Sequence, residues 1–197
     1  MKEKGKLIVM SGPSGAGKST VVAKAIEKCK NICFSTSVTT RKPRPGEIDG
    51  KDYFFVELER FDEMVRNGEL LEHAQYVANN YGTPRAYVEE MLEKGFDVIL
   101  DIEVQGARQV YEKMPDAVFV FICPPSLDDL KKRLEARGTE SKLAIDARLI
   151  RASQEYQEAD FYDWIVVNED PDIAANELCS IITASHCRFC DRKDILS

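Results

Sequence analysis

The octapeptide Gly12-Pro13-Ser14-Gly15-Ala16-Gly17-Lys18-Ser19 constrains this chain more than any other segment. It satisfies G-x-x-x-x-G-K-[ST], and the apolar run Leu7-Ile8-Val9-Met10 lies directly ahead of it. A strand, a glycine-rich turn and a helix in that order make a phosphate cradle. The glycines allow a backbone path that turns successive N–H groups onto one anion, and the helix read over Ser19 to Lys30 adds the partial positive charge of its N-terminus. In that pattern Lys18 reaches the β- and γ-phosphates and the Ser19 hydroxyl ligates Mg2+, so the segment predicts binding of a nucleoside triphosphate. Glycine-rich turns also join strands to helices where nothing binds; eight constrained positions between two segments of the right type rarely coincide by accident.

With 197 residues, 44% of them hydrophobic, the chain can bury one core and carry a sub-lobe. Lys2, Glu3, Lys4 and Lys6 enter the first strand without the apolar stretch of a secretion signal, and no later run is long enough to cross a bilayer, which predicts a soluble, cytoplasmic protein. The net charge of −7 opposes broad, sequence-independent binding of nucleic acid, which requires a basic face. A phosphate-bearing substrate must therefore be met by local clusters such as Arg41-Lys42-Pro43-Arg44, or Arg133, Arg137, Arg148 and Arg151, each of which could equally be a solvated face. The six cysteines, Cys29, Cys33, Cys123, Cys179, Cys187 and Cys190, have no framework spacing and are expected to be mostly reduced. Cys187 and Cys190 form a C-x-x-C beside His186, but a structural zinc site needs four ligands, so a metal-free tail is favoured over zinc shared between subunits.

Phe96 to Asp101, Ala117 to Ile122 and Trp164 to Asn168 read as strands, the second stopped by Pro124-Pro125. Helical patterns lie between them: Val104 to Lys113, Ser126 to Arg137 with Ser126 as N-cap, and about Lys142 to Ala159; Ile173 to Ser185 is the last. Near-continuous apolar strands alternating with helices predict an α/β fold with a parallel sheet covered on both faces. From about Ser35 to Glu90 the rhythm breaks into turns at Pro43-Arg44-Pro45-Gly46 and Asp49-Gly50, strand-like Tyr53 to Val56, and a short helix near Leu58 to Arg66. This stretch reads as an inserted, mostly-β lobe. Within it Arg41 and Arg44 can give charge-assisted bonds to a phosphate and Tyr53 and Tyr81 can donate phenolic protons to the same dianion; singly, each is as well explained as lobe core or solvated surface.

The phosphate loop, the string Ser37-Val38-Thr39-Thr40-Arg41-Lys42-Pro43-Arg44-Pro45-Gly46-Glu47 with downstream Gly50-Lys51-Asp52-Tyr53-Phe54-Phe55, then Tyr81-Gly82-Thr83, Asp101 to Gly106, and Arg133 to Thr139 together resemble guanylate kinases in order and spacing. The resemblance spans all but about the last dozen residues. It implies a single nucleoside-monophosphate-kinase-like domain: core 1–34, 96–125 and 160–186, GMP-binding lobe 35–95, helical lid 126–159, and tail 187–197. It implies transfer of the γ-phosphoryl group of ATP to GMP with Mg2+ in purine metabolism, and leaves the oligomeric state open. Gly12 to Thr20, with Arg133, Arg137 and Asn168, then form the ATP side, Arg133 stacking on adenine. Ser37, Arg41, Arg44, Tyr53, Glu72, Tyr81, Thr83, Asp101 and Glu103 form the GMP side. Guanine offers N1–H and N2–H2 as donors and O6 as acceptor, so the carboxylate of Glu72 suits the first two and the hydroxyls of Ser37 and Thr83 the third, whereas adenine would set an N1 lone pair against the carboxylate. Asp101 assists Mg2+, with Ser19 as ligand; Lys18, Arg41, Arg44, Asp101, Arg137 and Arg148 carry the transfer by positioning and charge neutralisation. The lid departs from many relatives in having Lys142 and Leu143 where acids are common. Gly68, Gly82 and Gly95 are candidate flexible points for closure, or ordinary turn and helix-end glycines.

Two other readings fit parts of the chain. A peptide-binding scaffold domain of this shape usually lacks an intact loop, whereas Gly17, Lys18 and Ser19 are all present here. A kinase for another phosphorylated acceptor lacks a reason for the guanine-facing set Ser37, Glu72 and Thr83.

Overall fold

The computed structural model describes residues 4–76, 78–136, 138 and 141–192, with the backbone alone at Tyr76, Cys190 and Asp191. The elements run β1 (Leu7–Ser11), α1 (Lys18–Lys28), β2 (Ile32–Phe34), β3 (Val38–Thr39), β4 (Phe54–Phe55), α2 (Leu58–Arg66), β5 (Leu70–Tyr76), β6 (Asn79–Pro84), α3 (Arg85–Glu93), β7 (Asp97–Asp101), α4 (Val104–Lys113), β8 (Val118–Cys123), α5 (Leu127–Ala136), α6 (Lys142–Glu158), β9 (Trp164–Val167), α7 (Pro171–Ser185) and α8 (Phe189–Arg192).

Five strands form a parallel sheet in the order β2-β7-β1-β8-β9. Strand side chains alternate between faces, so an unbroken apolar strand feeds two cores at once. Ile8 and Met10 of β1, with Val118, Val120 and Ile122 of β8, pack on Val21, Val22 and Ala25 of α1 and Ala174 and Leu178 of α7. Leu7 and Val9, with Leu100 of β7 and Phe119 of β8, pack on Val88 and Leu92 of α3 and Ala107 and Val110 of α4. The carboxyl ends of β1 and β7 open into one crevice, at the edge of the sheet where doubly wound folds bind ligands.

The inserted segment forms a second sheet, β4-β3-β6-β5, parallel between β3 and β4 and antiparallel elsewhere. Its own small core is Val38, Phe61, Met64 and Leu70, and α2 occupies the predicted helical span. β5 and β6, which turn-rich sequence obscured, are its longest strands. Gly68 and Gly95 close α2 and α3 in Schellman geometry, with Gly68 N–H bonded to the Val65 carbonyl and Glu69 N–H to Met64, and Gly95 and Phe96 N–H bonded to Leu92 and Met91. Both are helix-end glycines.

Side-chain caps mark the starts of α5, α6 and α7, with Ser141 accepting from Ala144 N–H at 3.3 Å ahead of α6. Ser126 accepts from Asp129 N–H at 3.0 Å, and Asp170 accepts from Asp172 and Ile173 N–H at 2.7 and 3.1 Å with Pro171 at N1. α1 ends at Lys28, short of the predicted Lys30, because Cys29 is already extended and Asn31 takes a left-handed turn (φ 66°) into β2. The expectation of reduced cysteines is corrected at one pair: α1 and α7 pack so that the Cα atoms of Cys29 and Cys179 lie 6.4 Å apart, and a disulfide joins them across 150 positions. Sequence spacing alone carries no trace of that contact.

Candidate active site

The chain leaves β1 at Ser11, whose hydroxyl donates to the Ile102 carbonyl at 2.7 Å, and enters the phosphate loop. Gly17 caps α1 in the left-handed region (φ 87°), and a Cβ there would lie 2.5 Å from Asn168 Nδ2. Asn168 is the reason for that crowding. It is buried just beyond β9, and its Nδ2 donates to the Ala16 carbonyl at 2.7 Å. Arg133 from α5 donates to Ala16 O at 3.3 Å and to Asn168 O at 2.6 Å, and Arg148 from α6 donates to Ser14 Oγ at 2.5 Å. Three predicted donor-side residues, distant in sequence, thus hold one loop from outside. Arg137 lies outside the described residues.

Inside the loop Lys18 Nζ donates to Gly12 O at 2.7 Å and stands 3.9 Å from Asp101 Oδ1. Ser19 and Thr20 are exposed in the first turn of α1. A cavity of about 220 Å³ lies before the loop, walled by Gly12, Ser14, Lys18, Asp101, Glu103 and Glu155. The cleft withholds water from the Asp101 carboxyl and pushes its pKa up, against the opposing effect of Lys18. Sequence reasoning missed Glu155. It is buried on α6, paired with Arg151 Nε at 3.2 Å through Oε1, with a buried Oε2 that accepts no hydrogen bond among the described residues. Its position seven residues after Arg148, on the same helix face, was the available signal.

A second cavity, about 410 Å³, is lined by Ser37, Tyr53, Glu72, Tyr81, Asp101 and Glu103, with Ala74 and Gln105 also on its wall. Glu72 is buried, and Thr83, itself buried, donates to Glu72 Oε1 at 2.6 Å; Thr83 reaches the cavity through that carboxylate. Burial pushes the Glu72 carboxyl up, and the Thr83 bond and the Lys113 charge act the other way. At the rim Arg41 makes a two-pronged pair with Glu47 (NH1–Oε2 3.0 Å, NH2–Oε1 2.8 Å) and lies over Tyr53, 5.2 Å from the ring centroid, while Tyr53 packs on Tyr81. Arg44 is exposed beside them, its backbone N–H bonded to Glu47 Oε2 at 2.7 Å. That side-chain bond to Arg41, seconded by Arg44, holds the Glu47 carboxyl down at about 2.

The two cavities share one wall, Asp101-Ile102-Glu103, at the carboxyl end of β7. Among the described residues, no group of three His, Cys, Asp or Glu side chains is placed to hold a metal ion unaided, and no helix is long and apolar enough to cross a membrane.

Residues 4–185 match the family model for guanylate kinase. The chain is 54% identical over 188 residues to a guanylate kinase of Lactococcus lactis, covering 95% of this chain and 92% of the relative. It is 51% identical over 188 residues to one of Oceanobacillus iheyensis, covering 95% and 91%. The crystal structure of guanylate kinase from Anaplasma phagocytophilum superposes with a TM-score of 0.73 at 37% identity, covering 96% of this chain and 90% of that one. Agreement across nearly the whole length of both partners, in sequence and in fold, places the chain in the guanylate kinase family.

Proposed function

We propose that this chain transfers the γ-phosphoryl group of ATP to GMP, giving ADP and GDP, with the phosphate-loop cavity as donor site and the Glu72 cavity as acceptor site. The observation that carries this is the shared wall: donor and acceptor pockets abut at Asp101, Ile102 and Glu103, so the two phosphates are brought together there. Lys18 lines the donor cavity, and Arg148 reaches the same loop at Ser14 Oγ, beside where donor phosphates would lie. Arg41, Arg44, Tyr53 and Tyr81 cluster where an acceptor phosphate would lie, and Glu47 keeps the Arg41 guanidinium in place. Phosphoryl transfer proceeds by positioning and charge neutralisation, and no covalent intermediate is needed.

The Ser19 hydroxyl, exposed in the first turn of α1 beside Lys18, and the Asp101 carboxylate, on the wall of the donor cavity, are hard oxygen donors of the kind that would hold Mg2+. When bound there, Mg2+ neutralises charge on the transferring phosphates. Asn168 and Arg133 keep the loop in its cradle shape by occupying the Ala16 carbonyl. The division into core, lobe 35–95 and lid 126–159 belongs to the same reading, supported by the separate small cores of the second sheet and of α5 with α6.

A coupled assay with GMP, AMP, CMP and UMP tests it. GMP is expected to be strongly preferred, and equal use of any other acceptor overturns the reading. The intact Gly17-Lys18-Ser19 and the closed loop geometry favour this over a non-catalytic scaffold.

A further inference from the structure

The Glu72 carboxylate sits where its own sheet cannot aim it. Pairing of β5 with β6 is in register at Leu70 and again at His73, with an irregularity between, so Glu72 lies in a bulge. What meets it there is α4. A Cβ on Gly106, the third residue of α4, would lie 2.9 Å from Glu72 Oε2, too close unless the carboxylate moves, and in ordinary contact with Cδ and Cγ at 3.5 and 3.6 Å. One turn on, Gln109 brackets the next residue of the strand: its Oε1 accepts from His73 N–H at 3.1 Å and its Nε2 donates to His73 O at 3.0 Å. A further turn on, Lys113 Nζ donates to the carbonyls of Leu70 and Leu71 at 3.1 and 2.8 Å. Gly106, Gln109 and Lys113 lie at i, i+3 and i+7, one face of the helix, and that face takes over the bonding that the bulge withdraws from the strand ladder.

We propose that Gly106 and Gln109 are positioning residues that set the place of the Glu72 carboxylate and thereby the selectivity for guanine. This rests on reading Glu72 as the base-facing group. α4 follows directly on Asp101-Ile102-Glu103, so the helix that aims the base-reading carboxylate is continuous with the wall between the two cavities. Gly106 makes room for a carboxylate at the positive end of α4, and Gln109 fixes the strand that carries it.

The test compares GMP with IMP, which keeps N1–H but lacks the exocyclic amine. Gly106→Ala is expected to raise KM for GMP by about 10- to 100-fold, the usual cost of an ångström-scale misplacement, to lower the GMP:IMP specificity ratio, and to leave KM for ATP unchanged. Gln109→Met, which adds no atom under Glu72, is expected to shift the ratio in the same direction and less far. It decides the matter if Gly106→Ala does not fold. A purely structural role would weaken GMP and IMP together. If Glu72→Gln shifts the GMP:IMP ratio while both α4 variants keep the parent ratio, the positioning role is overturned and the base reading survives. If Glu72→Gln itself leaves the ratio unchanged, the base reading fails and the inference fails with it.

Discussion

Replacing Glu72 by Gln should separate recognition from stability in opposite directions. Glu72 is 6% exposed, and Thr83 occupies one acceptor position of Oε1, leaving the rest of the carboxylate to take N1–H and N2–H2 of guanine. Each such charge-assisted bond contributes about 1.5–3 kcal/mol. The amide keeps the Thr83 bond through its oxygen but turns an NH2 group toward a guanine donor, so one bond is lost and two donors oppose each other. The expected loss is about 3–4 kcal/mol, a rise in KM for GMP of roughly 100- to 1,000-fold. IMP, with one donor fewer, should lose less. Stability follows the sign of the Glu72 shift. A carboxyl raised by burial stabilises the fold while protonated, and that contribution is lost as pH climbs from the ordinary 4.5 through the raised value. At neutral pH the ionised group is therefore a cost that glutamine does not carry. The variant should melt at or above the parent at about pH 7.5, with the gap closing near pH 4. Steady-state kinetics with both acceptors at saturating ATP, beside thermal melts at the two pH values, read out both halves. An unchanged KM for GMP would refute the assignment of Glu72 to the base, and a variant less stable at neutral pH would refute the electrostatic account.

Asn168→Leu removes the buried bond to the Ala16 carbonyl, leaving only Arg133 at 3.3 Å; we expect about 1–3 kcal/mol lost from unfolding and a higher KM for ATP with KM for GMP unmoved, and equal damage to both substrates would argue against a donor-side role. The Glu47 carboxyl should titrate at about 2 by carboxyl-detected NMR and return toward 4.5 in Arg41→Met; its folded value is lowered, so its contribution to stability is present above the ordinary value and fades as pH falls toward 2. Reduction of the Cys29–Cys179 bridge, which closes a very long loop, should lower the thermal midpoint by an amount corresponding to about 2–5 kcal/mol, checked by melting with and without dithiothreitol against Cys29→Ser; a midpoint indifferent to both excludes a stabilising bridge.

Much of this was legible in the chain because it depends on local chemistry. The phosphate loop is a backbone path that only its glycines permit, and the helices at Val104–Lys113, Leu58–Arg66 and Lys142–Glu158 follow from apolar periodicity within a few residues. The parallel sheet followed from strands apolar on both faces. Less legible were β5 and β6, whose sequences Leu-Leu-Glu-His-Ala-Gln-Tyr and Asn-Asn-Tyr-Gly-Thr-Pro mix turn formers with polar residues because the strands pair around a bulge and line a polar cavity.

Residue type by itself determined which groups could meet phosphate and guanine: Lys18, the arginines, Glu72 and the hydroxyls were identifiable as chemistry. Only the tertiary structure decided their company. It turned Thr83 onto Glu72, clamped Arg41 with Glu47, put Arg133 and Asn168 on the Ala16 carbonyl, and brought Glu155 into the donor cavity and Gly106 under the acceptor carboxylate. The reason is physical. Motif spacing reports contacts made along one backbone, whereas the aim and ionisation of a buried side chain are set by elements that arrive from distant parts of the chain, whose packing no local pattern encodes.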